Sequence, residues 1–248
     1  MTPTYHSIAY AGFEVANPVT LEAILELVAR TGLAEGAVAL DIGAGAGGVS
    51  VAVAREFGLR VQAIERYSDM AAMIRARAEA AGVADRVTVI AEGSATALDR
   101  LAPADLIVAL GSTEPAGPGI RSATEIFARL ADRLASPGWL LWGDLTWKGE
   151  PPEPLRQVIG ATGDYATHEG WLAAADAAGL ATLAAEIAPD ADWDAFFGGA
   201  DVRVRDWLKA HPDDPAATSI RQRADLTKAT FDFGREWLSF GLYLFRKP

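Results

Sequence analysis

The 248-residue sequence predicts an α/β fold in which helices cover both faces of a parallel sheet. Short apolar runs of the β type alternate with alanine-rich helical stretches along most of the chain, which is typical of such a sheet. No linker, low-complexity tract or internal repeat divides the chain, so we expect one domain spanning residues 1–248. Seven runs are expected to be strands: 37–42, 60–65, 86–91, 105–110, 139–144, 181–188 and 240–245.

Helices are predicted between these runs from apolar residues that recur with a period of 3.6. Residues 21–28 show this spacing, and Asn17 followed by Pro18 is interpreted as the cap that starts the helix. Residues 126–134 repeat the same spacing through Leu130 and Leu134. We interpret these apolar stripes as core packing.

Two segments exceed what a minimal alternating fold needs. They are residues 1–20, and residues 189–235, which separate the sixth and seventh strands by two further helices. In open α/β sheets the ligand lies beyond the carboxyl ends of the strands, and a chain leaving the sixth strand emerges on that side. We therefore expect an N-terminal lid (1–20) and a helical cap insertion (189–235) that roof a pocket.

The composition excludes several kinds of site. The chain has no cysteine, so disulfides, thiolate zinc sites, iron–sulfur ligation and cysteine nucleophiles are impossible. Its 22 lysines and arginines stand against 33 aspartates and glutamates, a net charge of −11, which argues against nucleic acid or an anionic membrane as partner. The N-terminal residues show neither a basic start nor a continuous apolar stretch, so we expect a cytoplasmic protein. The oligomeric state is left open.

A glycine-rich loop follows the first predicted strand. The sequence LDIGAGAGG carries Gly43, Gly45, Gly47 and Gly48 and leads into a helical run from Val49 to Phe57. Glycine lets the backbone approach a ligand closely, and the helix start offers free N–H groups to an anionic group. Glu65 ends the second strand, 22 positions after Gly43, where a carboxylate can accept the hydroxyl protons of a ribose.

Asp41 decides between two nucleotide cofactors. Gly43, Gly45 and Gly48 satisfy the spacing of dinucleotide-binding loops, but a carboxylate two positions earlier repels a pyrophosphate and suits an ammonium group. The residues therefore favour S-adenosylmethionine over NAD. The alternatives are a solvated carboxylate at the strand end and a plain tight turn at the glycines.

These residues resemble the first motif of class I S-adenosylmethionine-dependent methyltransferases, Asp/Glu-x-Gly-x-Gly-x-Gly. The likeness extends over most of the chain to a group of bacterial small-molecule methyltransferases. It is carried by Asn17 with Pro18, GST (111–113), GDLTW (143–147), DWDAFF (192–197), HPDDP (211–215) and the closing WLSFGLYLFRKP.

The resemblance implies a Rossmann-like, seven-stranded, mostly parallel sheet whose last strand is antiparallel. It also implies S-adenosylmethionine as cofactor, S-adenosylhomocysteine as product and no metal. Asp41 is expected at the methionine amino group, Gly43, Ala44, Gly45 and Gly47 at the cofactor backbone contact, Glu65 at the ribose, Arg66 beside the adenine and Leu110 at the methionyl portion. The family usually places an aspartate and a small residue against the adenine; Ser94 with Ala95 is the nearest match here.

Methyl transfer requires an aligned acceptor, exclusion of water and, for some acceptors, a base. Glu114 and Asp144 follow the fourth and fifth strands on the ligand side, and are candidates for base or substrate orienter, or else loop carboxylates in solvent. His6 in the predicted lid is either a base or a surface residue. Trp147, Trp193 and Phe196 are candidates for a substrate-binding wall, or else pack the lid on the body.

The sequence leaves three functions to compare. The first is methyl transfer from S-adenosylmethionine to a small molecule. The second is an NAD(P)-dependent oxidoreductase, against which stand Asp41 and the lack of a Tyr-x-x-x-Lys pair. The third is a cofactor-binding module without catalysis, which detection of turnover would exclude.

Overall fold

The computed structural model describes residues 3–248, which form one seven-stranded sheet covered by helices. The strands are β1 (Val38–Ile42), β2 (Arg60–Ile64), β3 (Val87–Ile90), β4 (Ala104–Leu110), β5 (Leu134–Trp147), β6 (Ala181–Ile187) and β7 (Leu238–Lys247). Their order is β3-β2-β1-β4-β5-β7-β6, with β7 antiparallel to both neighbours and the remaining pairs parallel. The predicted fold class is confirmed.

Helices connect the strands and add two layers beyond the sheet. They are α1 (Tyr5–Tyr10), α2 (Leu21–Ala29), α3 (Gly48–Phe57), α4 (Ser68–Ala80), α5 (Ser94–Arg100), α6 (Ala123–Ala131), α7 (Glu153–Gly160), α8 (His168–Ala177), α9 (Asp190–Ala210) and α10 (Ala217–Gly234). No helix within residues 3–248 is both long and apolar enough to cross a bilayer.

Two details of the helix predictions are wrong. Asn17 does not cap α2; Thr20 does, because its hydroxyl accepts the N–H of Ala23 at 3.1 Å. Leu134 does not continue α6 but begins β5, where it pairs with Ala104. An apolar residue at helical spacing also fits the first position of a buried strand, so periodicity alone could not separate the two.

The core lies on both faces of the sheet, as the apolar strands require. In β4, Leu106 and Val108 pack on one face and Ile107 and Ala109 on the other, all four almost fully buried. This two-sided burial explains why the strand is an unbroken apolar run rather than an alternating one. It also leaves the carboxyl edge of the strands as the place where polar side chains can meet.

The N-terminal segment and the insertion pack against each other. Ala9 of α1 joins buried residues of α9 and α10 in a separate apolar cluster that includes Val204, Leu208 and Ile220. Residues 1 and 2 of the expected lid lie outside the described residues. The assignment of residues 1–248 to one domain, with a lid and a cap, stays a prediction.

Candidate active site

A cavity of about 930 Å³ opens at the carboxyl edge of the parallel strands. It lies beside β1, whose neighbours in the sheet are β2 on one side and β4 on the other. Residues of the loops after β1 to β4 line it, together with residues of α1, α7, α9 and α10. Fourteen of the sixteen predicted site residues lie in this lining: His6, Asp41, Gly43, Ala44, Gly45, Gly47, Glu65, Arg66, Ser94, Ala95, Leu110, Glu114, Asp144 and Phe196.

The glycine loop runs between β1 and α3 along this cavity. Gly43, Gly45 and Gly47 have φ angles of 73°, 56° and 82°, which side chains rarely tolerate. A Cβ atom on Gly45 would meet nothing closer than a methyl group of Met70 at 3.9 Å, so it would project into open cavity space. The loop thus leaves room for a ligand against its backbone.

Asp41 is a buried carboxylate beside this loop. Only 5% of the residue is exposed, and the hydroxyl of Ser50 donates a hydrogen bond to its Oδ2 atom at 2.5 Å. Burial raises the pKa of Asp41 to about 6, and the Ser50 hydrogen bond opposes that rise. The side chain is therefore mostly ionised at neutral pH, and a bound ammonium group would stabilise the ionised form further.

Glu65 is held in place by backbone N–H groups on both of its oxygens. Gly45 donates to Oε2 at 3.0 Å and Tyr67 donates to Oε1 at 2.8 Å. Burial raises the pKa of Glu65, and the two hydrogen bonds oppose the rise. Each oxygen keeps a lone pair, so the fixed carboxylate can still accept two hydroxyl protons.

Glu114 is engaged by a basic side chain. Its Oε2 atom lies 3.3 Å from Nη1 of Arg66, and the hydroxyl of Ser94 donates to its backbone oxygen at 2.5 Å. These contacts join the loops after β2, β3 and β4 around the cavity. The ion pair favours a positioning role over the base suggested by the sequence, because the guanidinium already engages one oxygen of the carboxylate.

Asp144 lies deeper, just past the last residue pair between β4 and β5. It is 6% exposed, and its Oδ1 atom accepts the N–H of Leu145 at 2.8 Å. Burial raises the pKa of Asp144 to about 8, and the Leu145 hydrogen bond opposes the rise. Tyr165 also lines the cavity; its pKa is raised by burial and by the nearby charge of Asp144.

His6 of α1 forms part of the roof. Its ring stacks on that of Tyr67, with centroids 5.8 Å apart and planes 19° from parallel. Its pKa is lowered mainly by burial and also by the positive charges of Arg223 and Arg66. The imidazole is therefore neutral at pH 7.

The two tryptophans predicted as a substrate wall lie elsewhere. Trp147 is buried in the sheet, where it pairs with Leu238, and Trp193 packs on Phe197 with ring centroids 4.6 Å apart. Neither is among the residues that line the cavity, so a role of either in substrate binding stays a prediction. Phe196 does line it, stacked on Tyr10.

Comparison with known proteins identifies the family. A family model described as mycolic acid cyclopropane synthetase matches residues 13–153, more than half of the chain. The chain belongs to this family. It is also 29% identical over 245 residues to YjhP of Escherichia coli (strain K12), described as an uncharacterized protein, with 97% of both chains covered.

Solved structures agree with this assignment. A SAM-dependent methyltransferase from Geobacter sulfurreducens in complex with S-adenosylhomocysteine has a TM-score of 0.83 and 26% identity, covering 99% of this chain and 98% of that one. Another from Thiobacillus denitrificans, also bound to S-adenosylhomocysteine, has a TM-score of 0.82 and 26% identity over all of both chains. This chain is a class I S-adenosylmethionine-dependent methyltransferase, and the predicted cofactor is confirmed.

The cavity of this methyltransferase fits the cofactor. Space beside Gly45, the buried anion of Asp41 and the fixed carboxylate of Glu65 match a backbone contact, an ammonium group and a ribose respectively. Within residues 3–248, no group of three or more His, Asp or Glu side chains is arranged to hold a metal ion.

Among the cavity residues of this methyltransferase that sequence reasoning missed are Tyr165 and Arg223. Tyr165 precedes α8 and lies in no motif, and Arg223 is one of several arginines in the insertion. No spacing rule distinguishes a helical arginine that faces a cavity from one that faces solvent. The two kinds of arginine can be distinguished only once the structure shows that α10 crosses over the strand ends.

Proposed function

We propose that this methyltransferase transfers the methyl group of S-adenosylmethionine to a small-molecule acceptor bound in the same cavity. The observation that carries the proposal is that one enclosure joins the glycine loop and Asp41 to a second buried carboxyl group, Asp144. Its volume is at the upper end of the range for ligand sites, about 300 to 1,000 Å³, which leaves space for an acceptor beside the cofactor.

In this proposal the cofactor lies across the ends of β1, β2 and β4. Asp41 pairs with the ammonium group of the methionine portion, and Glu65 accepts the ribose hydroxyls. Arg66, Ser94 and Ala95 surround the adenine, and Leu110 contacts the methionyl portion. The support for this arrangement is that all of these residues line one continuous cavity.

When bound, S-adenosylmethionine supplies an electrophilic methyl group on a positively charged sulfur. The protein then has to align the acceptor and keep water out. Aromatic rings contribute to that enclosure: Tyr10 packs on Phe196, and Phe197 stacks on Phe231 at 4.0 Å. These rings come from α1, α9 and α10, so the additions to the sheet supply the roof.

Asp144 is the proposed general base. Its carboxylate would take the proton that an acceptor hydroxyl or amine gives up on methylation, while the bond from the methyl carbon to sulfur breaks and S-adenosylhomocysteine leaves as the neutral product. A base works best when its pKa lies near the working pH, and burial places the pKa of Asp144 at about 8. Tyr165, on the same cavity, is positioned to orient the acceptor or the carboxyl group.

Four variants test this assignment. Asp41→Asn and Glu65→Gln are expected to weaken S-adenosylhomocysteine binding by about 1–3 kcal/mol in calorimetry, since each leaves a buried polar partner unmatched. Asp144→Asn should preserve that affinity while lowering turnover with acceptors found by a mass-spectrometric screen for added methyl groups. Glu150→Gln, an exposed acidic residue just after β5, is the control.

The proposal fails in two separable ways. Unchanged affinity in both Asp41→Asn and Glu65→Gln would show that the cofactor binds elsewhere. Unchanged turnover in Asp144→Asn would remove that residue from the mechanism but leave the cofactor site intact. We also propose a cytoplasmic location, where S-adenosylmethionine is available; cell fractionation tests it.

A further inference from the structure

The roof of the cavity carries a largely apolar surface that the cofactor residues do not use. It includes Tyr10, Phe13, Phe196, Phe197, Leu226 and Phe231. Phe13 and Tyr10 both contact Phe196, with ring centroids 5.2 and 5.6 Å apart. A surface of this kind suits the apolar body of a ligand and provides few hydrogen bonds to a polar one.

Arg223 is a basic side chain on this largely apolar roof. Of the basic side chains that line the cavity, Arg66 is paired with Glu114, and His6 is neutral at pH 7. Arg223 has no carboxylate within ion-pair distance among residues 3–248. Its helix, α10, packs against α1, and its charge contributes to the lowered pKa of His6 on α1.

Two other arginines of the insertion are neutralised by carboxylates. Arg205 contacts Asp225 at 2.7 Å, and Arg235 contacts Asp190 at 3.0 Å. Arg223 is itself exposed, and it lines the cavity that the acceptor must fill. A ligand that removes water from an unpaired guanidinium is destabilised unless it brings a counter-charge.

We infer that the acceptor is a small amphipathic molecule whose apolar body lies under the aromatic roof and whose carboxylate or phosphate group pairs with Arg223. A guanidinium presents a planar pair of N–H donors that matches two oxygens of such a group. The inference rests on the proposed function, since it assigns the acceptor of that same cavity. It concerns Arg223 on the helical insertion, whereas the proposed cofactor residues belong to the edge of the sheet.

The cavity carboxylates are compatible with this arrangement. Five of the six cavity carboxylates come from the strands or the loops that follow them: Asp41, Glu65, Glu92, Glu114 and Asp144; the sixth, Glu14, lies between α1 and α2. An acceptor that places its anionic end at α10 therefore directs its other end toward the sheet edge, where Asp144 lies. The two ends of the acceptor are then recognised by different elements, Arg223 of α10 and Asp144 of β5.

The experiment measures ligand preference in protein saturated with S-adenosylhomocysteine. The probes are benzoate, 3-phenylpropanoate, octanoate and phenyl phosphate, each beside its neutral amide or alcohol counterpart, with affinities from calorimetry or ligand-observed NMR. Wild type is expected to prefer at least one oxyanion over its neutral counterpart by about tenfold or more. Arg223→Met should abolish that preference and leave the affinity for the neutral probe unchanged. Arg221→Met, an exposed arginine two positions earlier on α10 that does not line the cavity, should behave as wild type.

Each outcome decides the inference. Equal affinity for every oxyanion and its counterpart in wild type, or no binding of any probe, overturns it. A tenfold loss of S-adenosylhomocysteine affinity in Arg223→Met with the preference retained also overturns it, because Arg223 then serves the cofactor's own carboxylate. A preference for phenyl phosphate over the carboxylates identifies the anion as a phosphate. Failure of the proposed function is distinguishable, since it appears as absent S-adenosylhomocysteine binding in wild type before any probe is added.

Discussion

Replacing Asp144 with asparagine should stabilise the protein, and the gain should grow with pH. The side chain is almost fully buried, and burial raises its pKa from 3.8 to about 8. Between pH 4 and 8, the Asp144 side chain is therefore protonated in the folded state and ionised in the unfolded state. The free energy of unfolding therefore falls through that window as the pH rises, and levels off above it.

The size of the effect follows from the shift. One pKa unit corresponds to about 1.4 kcal/mol, so raising the pH from 5 to 8 should cost wild type about 4 kcal/mol relative to the variant. Asparagine has the same shape, carries no charge, and its oxygen can still accept the N–H of Leu145 that Asp144 accepts at 2.8 Å. Most other titratable groups are the same in the two proteins, so their contributions cancel when the two free energies of unfolding are subtracted.

Urea unfolding of wild type and Asp144→Asn at pH 5, 6, 7 and 8 measures this difference directly. Glu150→Gln serves as control, because it also exchanges a carboxylate for an amide but at a side chain that is 95% exposed. Charges on Tyr165 and Tyr243 do not intervene, since the pKa of each is raised well above this range. A difference that stays constant from pH 5 to 8 would refute the buried, protonated state of Asp144.

Two further predictions concern the cofactor loop and the N-terminal segment. Gly45→Ala should weaken S-adenosylhomocysteine binding at least about tenfold, because the new Cβ occupies cavity space at a φ of 56°. Gly82→Ala is the control: it has a similar φ of 68° and open surroundings, so it shares the backbone strain and should keep wild-type affinity. Asn17→Ala removes the hydrogen bond from its side chain to the backbone oxygen of Leu110 and should lower the free energy of unfolding by about 1 kcal/mol. Equal affinity in the two glycine variants, or an unchanged urea midpoint for Asn17→Ala, would contradict these assignments.

The sheet was predictable because its signals are local. The central strands are buried on both faces, so they appear in the sequence as short apolar runs, and β1, β2 and β4 differ from expectation by a residue or less at each end. The first part of β5 was missed, since Ser136, Pro137 and Gly138 form a turn signal inside the strand. Local patterns cannot show that a strand continues through such residues.

The candidate site was predictable only where it follows a strand end. Asp41 and Glu65 lie at such ends, Asp144 lies just past the last residue pair between β4 and β5, and all three line one cavity. Trp193 and Phe196 are neighbours on α9, yet one is core and the other lines the cavity. Which of two aromatic residues faces a ligand depends on how the helix is rotated about its axis, and α9 carries apolar residues on more than one side.

Gly48 shows how a motif can match for a reason other than its usual one. With Gly43 and Gly45 it completes the spacing of a dinucleotide-binding loop, but a Cβ on Gly48 would lie 1.8 Å from the backbone oxygen of Glu14. The residue is glycine because the N-terminal segment crosses the start of α3 there. The same segment is bound by Arg77, which donates to the backbone oxygens of Ala11 and Phe13 at 2.6 and 3.1 Å.

Gly48→Ala should therefore act on the N-terminal segment before it acts on the cofactor. The overlap is with backbone, which cannot rotate away, so the segment has to shift and the free energy of unfolding should fall by about 1–3 kcal/mol. Limited proteolysis should cut residues 3–20 faster than in wild type, and saturating S-adenosylhomocysteine should slow the cleavage only if the bound cofactor contacts the segment. Normal protection of the segment together with lost cofactor affinity would instead assign Gly48 to the cofactor loop, as its spacing alone suggests.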